Sequence, residues 1–404
     1  MLKIAWKNIW RNKRRTLITA ASIFFAVFFI IIMRGFQLGV YLNLIDGVLH
    51  SYSGYVQIHS KGYWDNRTFD YTFSANEINS WNLKKDDEIS RCIPRLESFA
   101  LVSSGEKTKG AIILGIDPRS EKGFMMLDKK LIKGSYLENN DRGILVSEGL
   151  ANYLGISVGD SLTAISQGYQ GASASGLFKI NGIVKLPAPE FNNQLVFMSL
   201  LMAQDFYSAP GRLTSVVLDI RNPKKLDQIL TSLNSKIDLN QFEVMSWRKM
   251  MIELYQQYMS KQAGGVIMEF LLYLIVGFGV FGTVLMMISE RKHEFAVMIA
   301  LGMRRFRLIC YFGTELAYIC IIGLLVGLAF SISLVLYIHL HPIPLTGELA
   351  STYSAFGFEP DIMIAWQSDY IIQQVINVIF IVILALIYPV YSIFKINIPN
   401  ALRR

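Results

Sequence analysis

Four long apolar runs constrain this chain more than anything else in it: Leu17 to Met33, Phe270 to Ile288, Leu308 to Ile338 and Tyr370 to Phe394. Runs of ~18–25 residues have the length an α-helix needs to cross a ~30 Å hydrocarbon core, where every backbone polar group must be paired within the segment. The first run is followed by a long polar region, Tyr41 to Gln262, and the other three follow it closely spaced. The pattern predicts a membrane protein of four transmembrane α-helices with one large extramembranous α+β domain between helices 1 and 2.

Charge sets the expected orientation, because short segments rich in Lys and Arg stay in the cytoplasm. Lys3, Lys7, Arg11, Lys13, Arg14 and Arg15 precede the first run. Arg291, Lys292, Arg304, Arg305 and Arg307 lie between the second and third, and Lys395, Arg403 and Arg404 follow the fourth. The stretch His339 to Asp369 has no Lys or Arg and holds Glu348, Glu359, Asp361 and Asp369. Every short segment gives the same topology. Residues 1–16 form a cytoplasmic basic segment, 17–40 the first span and 41–262 the extracytoplasmic domain. Residues 263–289, 308–338 and 370–394 form the other spans, 290–307 a cytoplasmic loop, 339–369 an outer loop and 395–404 a cytoplasmic tail. A cleaved signal peptide is the competing reading of the first run, but Arg34, Gly35 and Phe36 follow Met33 in place of a small-residue cleavage pattern.

Hydrophobic residues make up 52% of the chain and the mean hydropathy is +0.36, above soluble norms. The pI near 9.2 reflects basic membrane edges, so nucleic acid need not be invoked as a partner. Of three cysteines, only Cys92 lies in the polar region, which rules out a disulfide within it. Cys92 reads as a buried small apolar residue.

Within that region, alternation and turn residues predict a strand at Gly54 to His59 and paired strands from Arg95 to Asp117 about a turn at Ser103 to Thr108. A strand at Gly143 to Ser147 leads into a helix to Gly155. Strands at Gly159 to Ile165 and Leu177 to Lys185 flank a Gly/Ser/Ala-rich loop, Gln167 to Gly176. Thr214 to Ile220, Pro223 to Ser235 and Gln241 to Ser246 read as strand, helix, strand. The sum is a mixed α+β unit interrupted by a smaller β-rich one. Trp247 to Met259 and Phe36 to Leu49 read as helical stalks adjoining the spans.

The sharpest local signal is the loop from Ser289 to Arg307, which reads as an amphipathic helix. Glu290 and Glu294 stand four apart, while Phe295, Met298, Ile299 and Leu301 make an apolar stripe. Gly302 is placed to stop the helix before Arg304, Arg305 and Arg307. Two readings stay open: a helix lying on anionic lipid, or one that docks a cytoplasmic partner.

Glu315 lies within the third run, where an unpaired charge is costly. It is expected to pair with Arg291, Arg304 or Arg307. Gly323 and Gly327 form a G-x-x-x-G that would allow close helix packing between two such membrane chains. Gln373, Gln374 and Asn377 form a polar patch suited to interhelical hydrogen bonds or to a lateral opening for an amphiphile. His339 and His341 make a poor metal pair without nearby Cys or well-spaced carboxylates. His59 and His293 read as surface residues. No G-x-S-x-G, H-E-x-x-H or Walker A pattern occurs, and Gly168 to Gly176 lacks the Lys of a phosphate loop.

The pattern E-R-x-x-E-hydrophobic-A, then A-L-G, is carried by Glu290, Arg291, Glu294, Phe295, Ala296, Ala300, Leu301 and Gly302. With Ala5 to Thr16, Ile144 to Ala151, Pro399 and Ala401 to Arg403, it resembles the FtsX-like ABC permeases of the MacB and LolC/LolE types. Asn400, where the family often has Glu, departs from it. The resemblance implies a Porter/Sabre-like external domain and a mechanotransmission subunit with no catalysis or cofactor of its own, ATP and Mg being bound by a partner. Its implied partners are a cytoplasmic ABC ATPase dimer, a second permease (a copy or a relative), membrane lipid, and a periplasmic acceptor or adaptor. Glu290, Arg291, Glu294, Phe295, Met298, Ala300, Leu301, Gly302, Arg304 and Arg305 become the expected ATPase-coupling residues, in a bacterial inner membrane with both termini cytoplasmic. Ile183 to Ser199 looks most like the lipoprotein-releasing branch. Its Pro187, Pro189 and Phe191 would contact an external partner, or the prolines would simply end a strand. Extraction of lipoproteins or other amphiphiles is the expected function. A MacB-like peptide or drug exporter and an FtsX-like regulator of an external hydrolase are the alternatives.

Overall fold

The computed structural model describes residues 13–83, 87–139, 141–355 and 361–395. Lys3, Lys7, Arg11, Glu359, Pro399, Asn400, Ala401, Arg403 and Arg404, which carry part of the topology and resemblance readings, lie outside the described residues. The chain divides into two compact units, one of residues 1–42, 258–344 and 361–404, the other of 43–257 and 345–360.

Helix α1 (Lys13–Leu49) opens the described chain. The sheet unit then contributes β1 (Val56–Ser60), β2 (Ile89–Ser104), β3 (Lys107–Ile116), β4 (Leu131–Gly134), β5 (Gly143–Ser147), α2 (Glu148–Leu154), β6 (Ser161–Gln167), β7 (Ser173–Val184), β8 (Leu195–Ser199), α3 (Leu200–Phe206), β9 (Ser215–Ile220), α4 (Leu226–Lys236) and β10 (Phe242–Ser246). The long helices and the short one between them that matter to the site follow: α5 (Ile252–Glu290), α6 (Lys292–Ala300), α7 (Arg305–Leu340) and α8 (Ser368–Phe394). Helices α1, α5, α7 and α8 are long and apolar enough to cross a membrane.

The sheet runs β10-β1-β9-β2-β3-β8-β5-β7-β4, and β6 pairs both β2 and β7. That double pairing closes β2, β3, β8, β5, β7 and β6 into a six-stranded ring. The expected smaller β-rich unit is therefore not a separate insertion; it shares the hairpin β2–β3 with the open part of one ten-stranded sheet. Its two-residue loop starts with Gly105 at φ +56, the left-handed backbone that primed hairpin turns require. Strand β6 runs to Gln167 and β7 begins at Ser173, so half of the expected Gly/Ser/Ala loop is strand and the turn proper is 168–172.

Small residues fill the ring. Ala100, Ala111, Ala164 and Ala174 point inward with Val102 and Leu162, as befits a narrow barrel. The opposite sheet face carries a second core: Ile112, Leu114, Leu145, Leu195 and Phe197 pack there. Central strands β5 and β8 are buried at every position, which explains why they read as unbroken apolar runs. Cys92 is half-buried.

Two helix boundaries differ from expectation. Met251 (φ −119, ψ 60) separates a turn of helix at Trp247–Met250 from α5, so Trp247 to Met259 is not one helix. The 290–307 segment is also divided: Glu290 ends α5, Lys292–Ala300 is α6, and Arg305 already begins α7.

In the helical unit the G-x-x-x-G of α7 serves packing inside the chain. A Cβ on Gly323 would lie 2.6 Å from the Ala20 carbonyl oxygen, and one on Gly327 3.0 Å from the Val27 Cβ. The two glycines let α7 close onto α1, where shape and contact replace the hydrophobic drive that lipid removes. Further along α1, Gly35 and Gly39 admit the stretch 363–365, and the Ala365 N–H donates to the Gly35 carbonyl at 2.9 Å.

Candidate coupling site and polar clusters

Helix α6 is short because both ends are cut by backbone chemistry. Arg291 lies outside helical geometry at its start. At its end Gly302 adopts φ +96, the Gly302 N–H donates to the Ile299 carbonyl and the Met303 N–H to the Met298 carbonyl, each at 3.0 Å. These are the paired bonds of a Schellman stop, which needs a residue tolerant of the left-handed region.

One face of α6 is buried. Phe295 and Ala296 are fully covered, and Phe295 meets Phe312 of α7 edge-on at 5.7 Å between ring centroids. Met298 and Ile299 are half-buried, whereas Leu301 is 83% exposed. Leu301 therefore leaves the expected stripe and, with exposed Ala300, Gly302, Arg304, Phe306 and Arg307, forms an apolar and basic tip. Arg305 donates to the Phe394 carbonyl at the end of α8.

Of the three arginines offered to Glu315, the fold selects Arg291. Its Nη1 lies 2.5 Å from Glu315 Oε2, and its Nε lies 3.0 Å from Glu294 Oε2. Arg291 is 4% exposed and Glu315 fully buried, so the pair is deep; Glu294 stays 48% exposed. The Arg291 guanidinium also faces the Phe295 ring at 5.5 Å. A charge pair at this burial needs close geometry and further support, which Arg291 receives from the Glu294 carboxylate and the Phe295 ring. It fastens α5, α6 and α7 at one point.

A second polar cluster joins α1, α5 and α8. Arg34 Nε lies 3.3 Å from Glu269 Oε1, and Arg34 Nη1 donates to Gln37 Oε1 at 3.0 Å. Gln374 Nε2 donates to the same Glu269 oxygen at 3.1 Å, the Tyr273 hydroxyl donates to Gln374 Oε1, and Asn377 Nδ2 donates to the Tyr273 hydroxyl at 3.0 Å. Gln374 and Asn377 thus come together; Gln373 is exposed and does not join them. Glu269 and Arg34 were not anticipated, because each sits at the edge of an apolar run and reads there as a flank. Beside this cluster, an apolar groove of about 570 Å³ runs between α5 and α8, lined by Phe270, Leu274, Phe278, Phe380 and Leu384, with Tyr273 and Asn377 its polar members.

In the sheet unit, Phe191 does not face outward. It is buried and stacks on Tyr52 at 4.7 Å, while Pro189 starts the short turn of helix Pro189–Asn192 and Pro187 is half-buried. Beneath lies a buried network: Arg95 Nε to Glu121 Oε1 at 2.6 Å, Arg95 Nη2 to Glu121 Oε2 at 3.1 Å, and Arg95 Nη1 to the Tyr52 carbonyl. The Tyr52 and Tyr63 hydroxyls donate to the two oxygens of Glu97 at 2.7 and 3.1 Å. Burial and the Glu97 charge push both phenols up. His59 is fully buried, not a surface residue, and bonds Gln57 Oε1 at 2.7 Å. Burial, helped by the Arg67 charge, pulls its ring down to about 3. His293 is exposed, and His339 Nδ1 pairs with the Ile364 carbonyl at 3.0 Å.

Four candidate spans, a large β-rich domain between the first two and a short docked helix between the second and third are the architecture of an ABC transporter permease of the MacB/LolC/FtsX type. Residues 16–243 match the MacB-like periplasmic core domain and residues 266–398 the FtsX-like permease C-terminal family, so the chain belongs to the MacB/FtsX-like permease family. It is 25% identical over 252 residues, 60% of either chain, to the lipoprotein-releasing system transmembrane protein LolC of Xylella fastidiosa. It is 21% identical over 303 residues to LolC of Neisseria meningitidis, covering 73% of this chain and 70% of that one. It is 23% identical to an ABC transporter permease of Mycobacterium tuberculosis, over 87% of this chain and 38% of that one. Among solved structures it is similar to the periplasmic region of MacB from Actinobacillus actinomycetemcomitans, with a TM-score of 0.35 and 16% identity, covering 52% of this chain and 97% of that one.

Proposed function

We propose that this chain is the transport subunit of an ABC exporter that extracts lipoproteins, or amphiphiles like them, from the outer leaflet of the bacterial inner membrane. A separate cytoplasmic ATPase dimer supplies the ATP and Mg chemistry, and a second permease completes the membrane part. Both termini and α6 face the cytoplasm; the sheet unit faces outward. The observation that carries this reading is the seating of α6. Its apolar face is fixed to α7 through Phe295, its start is tied to α5 and α7 through Arg291 and Glu315, and its far end leaves Leu301, Arg304 and Phe306 uncovered. A force applied at that tip would be carried into two spans, as coupling requires. The choice of lipoprotein as cargo follows the LolC relatives and the likeness of Ile183 to Ser199 to that branch.

The test is purification of the tagged chain in mild detergent, with mass spectrometry of retained proteins and lipid analysis of the same sample. Recovery of a P-loop ATPase together with triacylated lipoprotein is the expected result. An ATPase with a cell-wall hydrolase and no lipoprotein would replace extraction by regulation, and an ATPase with a periplasmic adaptor would replace it by a MacB-like export role. Absence of any ATPase would overturn the transport reading. Leu301→Glu should abolish ATPase retention while leaving the chain in the membrane.

A further inference from the structure

Among its described residues the helical unit has two ion-pair clusters, one including Glu269 of α5 and the other Arg291, the residue that directly follows α5. Glu269 lies 21 residues before Glu290 in one continuous helix. At 1.5 Å per residue that separation is ~32 Å, close to the ~30 Å hydrocarbon thickness. On the topology proposed above, Glu269 and Arg291 sit at opposite faces of the membrane, one tying α5 to α1 and α8, the other tying the end of α5 to α6 and α7.

The two ties differ in strength. The Arg291–Glu315 contact is 2.5 Å, with side chains 4% and 0% exposed. The Arg34–Glu269 contact is 3.3 Å through a single carboxylate oxygen that Gln374 also uses, with side chains 13% and 15% exposed. A pair that is longer and less deeply buried has less Coulomb energy to lose, so it opens more readily. Opening it would also release the hydrogen-bond chain from Gln374 through Tyr273 to Asn377, which holds α8 to α5.

We propose that Arg34, Glu269 and Gln374 form an outer latch, closed in this structure, that opens in each transport cycle while the inner Arg291–Glu315 tie stays shut and makes α5 and α6 move as one piece. The proposal rests on the permease reading above. Arg34, Glu269 and Gln374 are positioning residues: they set when α1, α5 and α8 separate and touch no reacting atom.

The test locks the helices beside the latch without altering its members. Tyr41 of α1 and Tyr258 of α5 meet edge-on at 6.3 Å between centroids. Tyr41→Cys with Tyr258→Cys, in a chain whose Cys92, Cys310 and Cys320 are replaced by Ser, is purified with its ATPase and bridged by a short cleavable thiol cross-linker. ATP hydrolysis stimulated by a purified triacylated lipoprotein should fall about tenfold or more on bridging and return on cleavage. In parallel, Glu269→Gln should raise hydrolysis in the absence of cargo several-fold, and the swap Arg34→Glu with Glu269→Arg should restore it toward the parent value. Unchanged turnover in the bridged complex overturns the latch and leaves the permease reading standing. Failure of the unbridged variant and the parent alike to retain an ATPase overturns both.

Discussion

Each unit of this molecule buries an Arg–Glu pair almost completely, and the two pairs do different things. Arg95 and Glu121 in the sheet unit form a two-pronged contact, both side chains 0% exposed, with the Tyr52 carbonyl as a third partner. All three residues lie inside one compact unit, so the pair closes a core. Arg291 and Glu315 are as deep, but their contact crosses from the end of one long helix to the interior of another, with Glu294 of α6 as the third member. Burial is alike; connectivity is not. A buried pair within one body fixes a fold, and one that joins segments fixes how they move together.

Arg95→Met breaks the first pair and has the largest expected effect. It leaves the Glu121 carboxylate buried without its cation, and removing one partner of such a pair costs roughly 3–5 kcal/mol. Denaturant unfolding of the full chain in detergent, followed by tryptophan fluorescence, should show that loss. Arg95→Met with Glu121→Leu should recover most of it, and a double variant no better than the single would mean that the pair does not act as a unit. Glu315→Gln, the matching change in the helical unit, is expected to cost less, about 2–3 kcal/mol, because Arg291 keeps Glu294 and the amide still accepts a hydrogen bond. Its main consequence is functional. The variant should insert and bind the ATPase but hydrolyse ATP without responding to cargo, and normal coupling would remove the mechanical role assigned to this pair.

Acid separates the two regions next. His59 is neutral in the folded sheet unit down to about pH 3 but protonates near 6.5 when unfolded. Between those values the unfolded state binds the extra proton, so stability rises with pH and is lost on acidification. At pH 5 the loss should be about 2 kcal/mol at ~1.4 kcal/mol per unit. His59→Gln should flatten the pH dependence of sheet-unit unfolding between pH 7 and 5; an unchanged slope would place the acid sensitivity elsewhere.

How much of this was legible in the sequence follows the same division. The helices of the membrane type were plain because lipid demands long apolar runs, and the ring strand β5 was plain because it is a short apolar run bounded by turns. Closure of the ring was not, since it depends on β6 reaching β2, a pairing between residues some sixty positions apart that leaves no local mark. Phe191 and His59 were misplaced for a related reason: proline neighbours and an imidazole suggest surface, and only the Tyr52 ring and the Gln57 carboxamide explain their burial. Arg291 could be named as a partner for Glu315 because the break after Glu290 returns the chain toward α7. Glu269 could not be paired from sequence, because Arg34 is distant in the chain and each residue taken alone looks like the polar end of a span. The helix α6 was expected from the motif, yet its length was overestimated because the stops at Arg291 and Gly302 are matters of backbone angle.

Gly302→Ala gives the smallest effect on stability and the finest test of the comparison. Nothing lies within 4 Å of the added methyl, so any cost comes from φ +96 alone, and forcing a side chain into the left-handed region costs roughly 1–2 kcal/mol. The chain can avoid that cost by unwinding the Schellman stop, which would swing the exposed Leu301 and Arg304 without touching Arg291, Glu315 or Phe295. Thermal unfolding should therefore move little while ATPase stimulation by the permease falls. Gly302→Asn, which tolerates the left-handed region better, should fall between the two. If Ala and Asn were both silent in stimulation, the position of the tip would not matter, and coupling would have to enter through the buried face of α6 instead.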